Sequence, residues 1–420
     1  MGVVVTMKSG KNLADLINEN KSHILRYLIH HEGVSRIELS AATGLQPASI
    51  TKIIQQLIEQ ELVVETGLSD GSKGRRSISL SFNYRKYSVI AIKLNWSRLK
   101  IDLMDFKGNS QEELFSIQFP SLYFERMDEI VSLIAQKVNE IHSRHDNIVA
   151  VGVASFGPLL YESGDILFEP QNTQEHRNEE HCYSYPLLSR LRSQIQIPVF
   201  VELEAVAGAL AYWWFQTNCN PTQKLMHIFA GEGIGGGLII NGHRLSDFLD
   251  NAFEFGHIII NANGDKCSSG CTGCLQTYCS FTSLVHHAQT RLNDYPESIL
   301  FSRRDVLTVY ELIDAMNAGD DCAIDTIMDW GFFLGCGIAS ILPLFAPDIV
   351  VISDVMIRCG DPLLNAIERS IQMHKHYAYK TPKLIFAEPD NDLILLGAAT
   401  VAIDKVLSSP GKYFASTVSV

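Results

Sequence analysis

His257, Cys267, Cys271 and Cys274 place one imidazole and three thiols within eighteen positions of a 420-residue chain. Such a set fills the four tetrahedral positions of a structural zinc and leaves none for a catalytic water. Because the three cysteines fall within eight residues, closing the metal loop costs little chain entropy. Clustered free thiols are the plainer alternative. Cys279, five residues on, sits in helix-like sequence and reads as a packing residue.

A second concentration is Gly231-Glu232-Gly233-Ile234-Gly235-Gly236-Gly237, directly after a strand-like run ending at Phe229. Glycines there let backbone N–H groups approach a phosphate or a sugar closely. A hairpin turn between two strands needs glycine as well, and the run alone does not separate the two.

The third group lies near the start. Ile50, Ile53, Ile54, Leu57 and Ile58 form one apolar stripe at helical spacing behind Pro47, which suits a first helical turn. The opposite face offers Ala48, Ser49, Thr51, Lys52 and Gln55, side chains suited to base edges and phosphates. Two helices precede it. One carries Ile24, Leu25, Leu28 and Ile29 and stops at Gly33; the other runs from Ser35 to Thr43, with Glu38 completing a capping box. Strand-like Leu62–Glu65 and Ser77–Leu80 follow, joined by a loop that ends Lys73-Gly74-Arg75-Arg76. Three helices and a basic hairpin predict a winged helix-turn-helix. Its third helix would enter the major groove, and its wing would reach phosphate or minor groove. A helical cap with a solvated loop is the competing reading, and it has no need of Gly-Arg-Arg.

Charge supports the partition. The chain carries 34 Lys+Arg against 47 Asp+Glu, a net charge of −13. Residues 1–82 hold 9 Lys+Arg and 8 Asp+Glu, net +1, so the rest carries 25 − 39 = −14. An acidic body is repelled by phosphate backbones, which argues against a protein coated in nucleic acid and leaves DNA to the N-terminal module. No run of about 18 apolar residues predicts a membrane span, and the start turns polar too soon for a signal peptide. A cytoplasmic location is expected. Nine cysteines, an odd number, describe no disulfide framework.

Beyond Tyr87 the period changes. Val89–Ile92 and Leu99–Met104 read as paired strands around Asn95-Trp96, followed by strand runs at Ile148–Val153, Val199–Val201, Leu225–Phe229, Leu238–Ile240 and Ile349–Ile352. Strands and helices in alternation predict an α/β body, and the similar starts at 89 and 225 suggest two related lobes. The expected division is 1–82, then 83–200 completed by about 385–420, then 201–384, with a hinge at Asn83–Lys86.

In this order and spacing, the helix-turn-helix, the glycine loop, Glu254-Phe255-Gly256-His257, the cysteine cluster and Gly397-Ala398-Ala399 resemble the ROK family (repressors, open reading frames, kinases). The likeness is to its winged-helix repressors of sugar catabolism and covers essentially the whole chain. It implies an actin-like, hexokinase-like (ribonuclease H-like) body of two α/β lobes with a sugar cleft between them. Family kinases open that body with Asp-x-Gly-Gly-Thr; the matching residues here are Lys93-Leu94-Asn95-Trp96-Ser97, which offer neither the acid nor the glycines for magnesium and triphosphate. The catalytic Asn-Asp pair falls on Leu203-Glu204. Phosphorylation is therefore expected to be lost, while Glu204, Gly235, Glu254, His257 and Gln276 line an effector site for a sugar or sugar phosphate. Gln276 stands where the family has a glutamate. The family's Cys-x-Cys-x4-Cys matches Cys267 and Cys274 but has Ser269 in the middle, so Cys271 is the expected substitute ligand to one zinc per chain. The apolar Phe332–Leu344 fits a buried or interface helix. A homodimer or tetramer on a palindromic double-stranded operator follows. A ROK sugar kinase with a DNA-binding appendage, and a repressor controlled by a regulatory protein, are the alternatives.

Overall fold

The computed structural model describes residues 13–69, 77–119, 124–169, 182–217, 219–220, 222–249, 253–389 and 392–414. Helices α1 (Leu13–His30), α2 (Arg36–Thr43) and α3 (Pro47–Glu59) are followed by the antiparallel pair β1 (Val63–Ser69) and β2 (Ser77–Phe82). The boundaries follow from local chemistry. Gly33 and Gly44 adopt φ of 72° and 70°, which stops the first two helices, and the Ser35–Glu38 capping box opens α2. Ile50, Ile53, Ile54 and Leu57 are buried under α3, as the stripe predicts. The wing tip, 70–76, lies outside the described residues.

The first lobe contains β3 (Ser88–Leu94), β4 (Arg98–Asp105), β5 (Ser110–Gln118), α4 (Met127–His142), β6 (Ile148–Ser155), β7 (Leu159–Leu160), β8 (Asp165–Phe168), β9 (Tyr183–Tyr185), α5 (Leu187–Gln194) and β10 (Val199–Leu203). Its five-stranded sheet runs β10-β6-β3-β4-β5. Strand β3 is buried along its whole length because it pairs on both edges and is covered on both faces. The sheet continues through Leu203, three residues past the expected lobe boundary.

Helix α6 (Glu204–Gln216) leads to the second lobe: β11 (Leu225–Ala230), β12 (Ile234–Ile240), β13 (His243–Arg244), α7 (Gln276–Cys279), α8 (Phe281–Arg291), α9 (Val309–Asn317), α10 (Asp321–Phe345), β14 (Ile349–Ile352), α11 (Gly360–His374) and β15 (Lys383–Phe386). Its sheet order is β13-β12-β11-β14-β15. Helix α12 (Leu393–Ser408) returns to pack on α6, β6 and β3, and α13 (Pro410–Tyr413) closes the described chain. Helix α10 is long and apolar enough to cross a bilayer, yet Trp330, Leu334, Ile338 and Ile341 are buried in the second-lobe core against α11.

The expected hinge at Asn83–Lys86 is pinned. Asn83 donates to the Glu61 carbonyl at 2.9 Å, Tyr84 donates to the Ile29 carbonyl at 2.8 Å, and Lys86 pairs with Glu61. Phe82 stacks on Phe106 across the same junction, so the winged helix and the body share one continuous core. Arg26 of α1 meets Asp404 of α12 at 2.6 Å.

Candidate functional site

Between the lobes lies a cavity of about 620 Å³. All five expected effector residues line it: Glu204, Gly235, Glu254, His257 and Gln276. Glu204 opens α6 at the end of the β10 strand, buried, with Oε1 lacking a hydrogen-bond partner among the described residues. Burial raises its carboxyl to about 8, against the lowering effect of Lys93. At neutral pH it is therefore a neutral group able to donate one hydrogen bond.

The glycine run serves the hairpin and more. β11 and β12 pair antiparallel, and a Cβ on Gly237 would stand 2.1 Å from the Ala205 carbonyl oxygen at the start of α6. Glycine is thus required for β12 to lie against that helix. At Gly256 a Cβ would come within 2.5 Å of the Ile234 carbonyl and 3.2 Å of Gln276 Oε1, so the absent side chain leaves room for the Gln276 carboxamide.

Lys93, near the end of β3, is tied to two carboxylates from distant segments. Its ammonium lies 3.1 Å from Asp354 Oδ2 and 3.1 and 3.3 Å from the two Asp392 oxygens. Burial alone would lower its pKa, but Asp392, then Asp354 and Glu204, raise it, and the charge stays on. Asp354 holds φ at 61°, a conformation that asparagine, aspartate and glycine tolerate best. The hairpin beyond Lys93 is filled by Trp96, whose ring packs against Phe156 at 4.1 Å and Phe168 at 5.5 Å.

The thiols and the imidazole converge as the spacing suggests. One ligand atom each from His257, Cys267, Cys271 and Cys274 falls within 4.8 Å of the others, and none of the three cysteines is in a disulfide. Cys271 Sγ is 3.0 Å from Cys267 Sγ and 3.3 Å from His257 Nδ1. The donor set and its closeness fit a tetrahedral zinc, for which Zn–S and Zn–N distances of about 2.3 and 2.0 Å imply ligand atoms about 3.5–3.8 Å apart. His257 Nε2 faces Ser269 Oγ at 3.5 Å, and Ser269 in turn donates to Glu169 of the first lobe. The hydroxyl of the serine in the middle position thus turns to Glu169 and His257, while its backbone N–H donates to the Cys267 sulfur.

On α3, Pro47, Ala48, Ser49, Thr51, Lys52 and Gln55 are all exposed on the face away from the core. Thr51 donates to the Pro47 carbonyl at 2.9 Å and Gln55 to Glu59 at 3.1 Å. Lys73, Gly74, Arg75 and Arg76 lie outside the described residues.

Sequence reasoning missed Asp354, Asp392 and Glu169, which come from segments far from the motifs. Asp392 alone carried a signal, an acid directly before the apolar run Leu393–Leu396, and it is the helix N-cap: its side chain accepts from the Leu395 N–H. It also missed a buried chain in which Tyr161 donates to Glu202 at 2.6 Å and Glu202 pairs with Arg244 at 3.1 Å, joining β7–β8 to the second lobe.

Comparison with known proteins agrees with this geometry. Residues 17–64 match winged helix-turn-helix DNA-binding domains, and residues 111–405 match the ROK family. The chain is 26% identical over 395 residues to the xylose repressor of Caldicellulosiruptor bescii, covering 93% of this chain and 97% of that one. It is 27% identical over 370-odd residues to the DNA-binding transcriptional repressor Mlc of Escherichia coli K12, covering 87% and 88%. Among solved structures, a ROK family transcriptional regulator, a homolog of the E. coli MLC protein, superposes with a TM-score of 0.77 at 24% identity over 94% of this chain and 97% of the other. A ROK family glucokinase from Streptomyces griseus, solved with glucose and AMPPNP, gives 0.64 at 25% identity over 75% and 99%. With its body and its winged helix both matched, the chain belongs to the ROK family.

Proposed function

We propose that the protein is a sequence-specific DNA-binding transcriptional repressor of sugar uptake or catabolism genes, whose body senses a sugar and does not phosphorylate it. The single observation that carries the reading is α12. Its N-cap Asp392 holds Lys93, which also pairs with the cleft-lining Asp354, and Asp404 near its other end holds Arg26 of the DNA-binding module. About twelve residues of helix, roughly 18 Å, join the two contacts as one rod. A sugar that changes how the lobes sit would move that rod, and with it the winged helix. The relatives named xylose repressor and Mlc support the same reading.

Against kinase activity stand the Lys93 ion pairs, the Trp96 ring in the hairpin, and Leu203-Glu204 in place of the catalytic pair. Glu204 is buried beside Lys93 rather than poised as an ionised base. The proposed division of labour gives 1–82 to DNA, 83–203 with α12 and α13 to the first lobe, and 204–389 to the second. His257, Cys267, Cys271 and Cys274 would hold zinc, which braces the cleft wall and does no chemistry on the ligand. We further propose a cytoplasmic homodimer or tetramer on a palindromic operator, read by Ser49, Thr51, Lys52 and the wing.

Electrophoretic mobility shift on the protein's own upstream DNA, with and without xylose, glucose and N-acetylglucosamine, tests the reading. Binding that one sugar weakens at least tenfold is the expected result. ATP turnover with any hexose would overturn the non-enzyme part.

A further inference from the structure

The cleft carries an exposed carboxylate, Glu232, beside the N-terminus of α8. In Gly231-Glu232-Gly233 the loop is stitched to the N-terminus of α8: Phe281 N–H donates to the Gly231 carbonyl at 2.8 Å. Ser280 caps that helix, and Thr282 in its first turn donates to Glu232 Oε2 at 3.1 Å. A glycine loop facing an eleven-residue helix N-terminus is an arrangement that attracts anions. Here the Phe281 and Ser283 N–H groups are already taken by the Gly231 carbonyl and Ser280, and the carboxylate of Glu232 stands beside them on the Thr282 hydroxyl. Glu232 is exposed to the cleft, so an incoming phosphate meets its charge directly.

The rest of the lining points the same way. Among the described residues, and with the neutral Glu204 set aside, the cavity is bounded by the carboxyl groups of Glu169, Glu232, Glu254, Asp265 and Asp354 against one lysine, Lys266, three histidines and no arginine. Lys93 gives no help, because it is buried, does not line the cavity and is paired with two carboxylates. What remains suited to a ligand is neutral and hydrogen-bonding: the unpartnered Glu204 Oε1, the Gln276 carboxamide and the Trp96 ring.

We propose that this cleft selects an unphosphorylated sugar and rejects its phosphate ester, with Glu232 as the discriminating residue. The inference rests on the sugar-sensing reading above and narrows its ligand to one class. Phosphate recognition calls for arginine, lysine or free backbone donors, and the described cavity has one lysine and a helix N-terminus whose Phe281 and Ser283 N–H groups already donate to the Gly231 carbonyl and Ser280. A dianion would also have to approach Glu232 and Asp265 inside a concave, partly dehydrated space, where like charges repel more than in bulk water.

The test is titration calorimetry of the full-length, metal-replete protein with an aldopentose, an aldohexose and an N-acetylhexosamine, each paired with its phosphate ester, and with inorganic phosphate alone. One unphosphorylated sugar should bind at least tenfold more tightly than its ester, and inorganic phosphate should give no heat. Glu232→Gln, shown by its melting curve to be folded, should shrink that preference severalfold. An ester that binds wild type as tightly as its parent sugar overturns the inference and leaves sugar sensing intact. An unchanged preference in E232Q overturns the role of Glu232. If no sugar or ester binds, the sugar-sensing reading fails and takes this one with it.

Discussion

Asp392 and Asp404 lie at opposite ends of α12, and each grips a cation from a different domain: Lys93 at 3.1 Å and Arg26 at 2.6 Å. Arg26 also donates to the Asp404 carbonyl and to Ser408, and its guanidinium lies over Trp214 at 5.6 Å. Neither pair follows from local sequence, since the partners stand 299 and 378 positions apart.

Breaking the second grip should uncouple sensing from DNA binding. Arg26→Ala is expected to leave operator affinity without sugar within a few-fold of wild type and to reduce the sugar-induced change. Operator titrations by fluorescence anisotropy, with and without the inducing sugar, check this. An undiminished sugar response in the variant would remove α12 as the link.

Lys93→Met removes the cation and leaves Asp354 and Asp392 facing each other. A wholly buried pair loses roughly 3–5 kcal/mol when one partner goes. The carboxylates here are 33% and 28% exposed, so about 2–3 kcal/mol is expected. Adding Asp354→Asn should recover part of the loss in urea denaturation, because a neutral amide removes the repulsion. A double variant no more stable than Lys93→Met would rule out that repulsion.

Glu204 gives a pH dependence. Its folded carboxyl sits at about 8, above an ordinary glutamate, so the unfolded chain releases this proton first. Its contribution is intact below about pH 4.5 and declines as pH rises through about 8. Glu204→Gln carries no such proton. The variant should therefore gain on wild type in melting temperature between pH 5 and pH 9, and parallel curves would place the carboxyl at an ordinary pKa.

The metal prediction separates two serine-for-cysteine positions. Purified protein should carry one zinc per chain by elemental mass spectrometry. Cys271→Ser should lose it and melt several degrees lower, whereas Ser269→Ala should keep it. The opposite pattern would move the third thiol's role away from Cys271.

On DNA, Arg75→Ala with Arg76→Ala should weaken binding to every sequence and flatten the slope of log K against log salt by up to about 2, near 0.9 for each lost phosphate contact. Lys52→Ala or Ser49→Ala should instead change which bases are preferred, by about 1–3 kcal/mol at one position. An unchanged salt slope excludes the wing from the contact set.

Much was legible in the chain alone because the signals are local. The α3 stripe, the Ser35–Glu38 box, the Gly33 and Gly44 stops and the Asn95-Trp96 hairpin need only neighbours within a few residues, and capping and periodicity act over that range. The metal set was legible for the same reason: three of its four members share an eight-residue loop. The run 231–237 was ambiguous, and the fold gave it two roles at once, since Gly237 clears the start of α6 while Glu232 meets Thr282. What only tertiary structure decided is which charges neutralise which. Lys93, Asp354 and Asp392 come from three distant segments, and a lysine in a strand says nothing of its partners until the sheet and α12 close over it. A buried charge must find its counter-charge in three dimensions, and for Lys93 those counter-charges are Asp354 and Asp392.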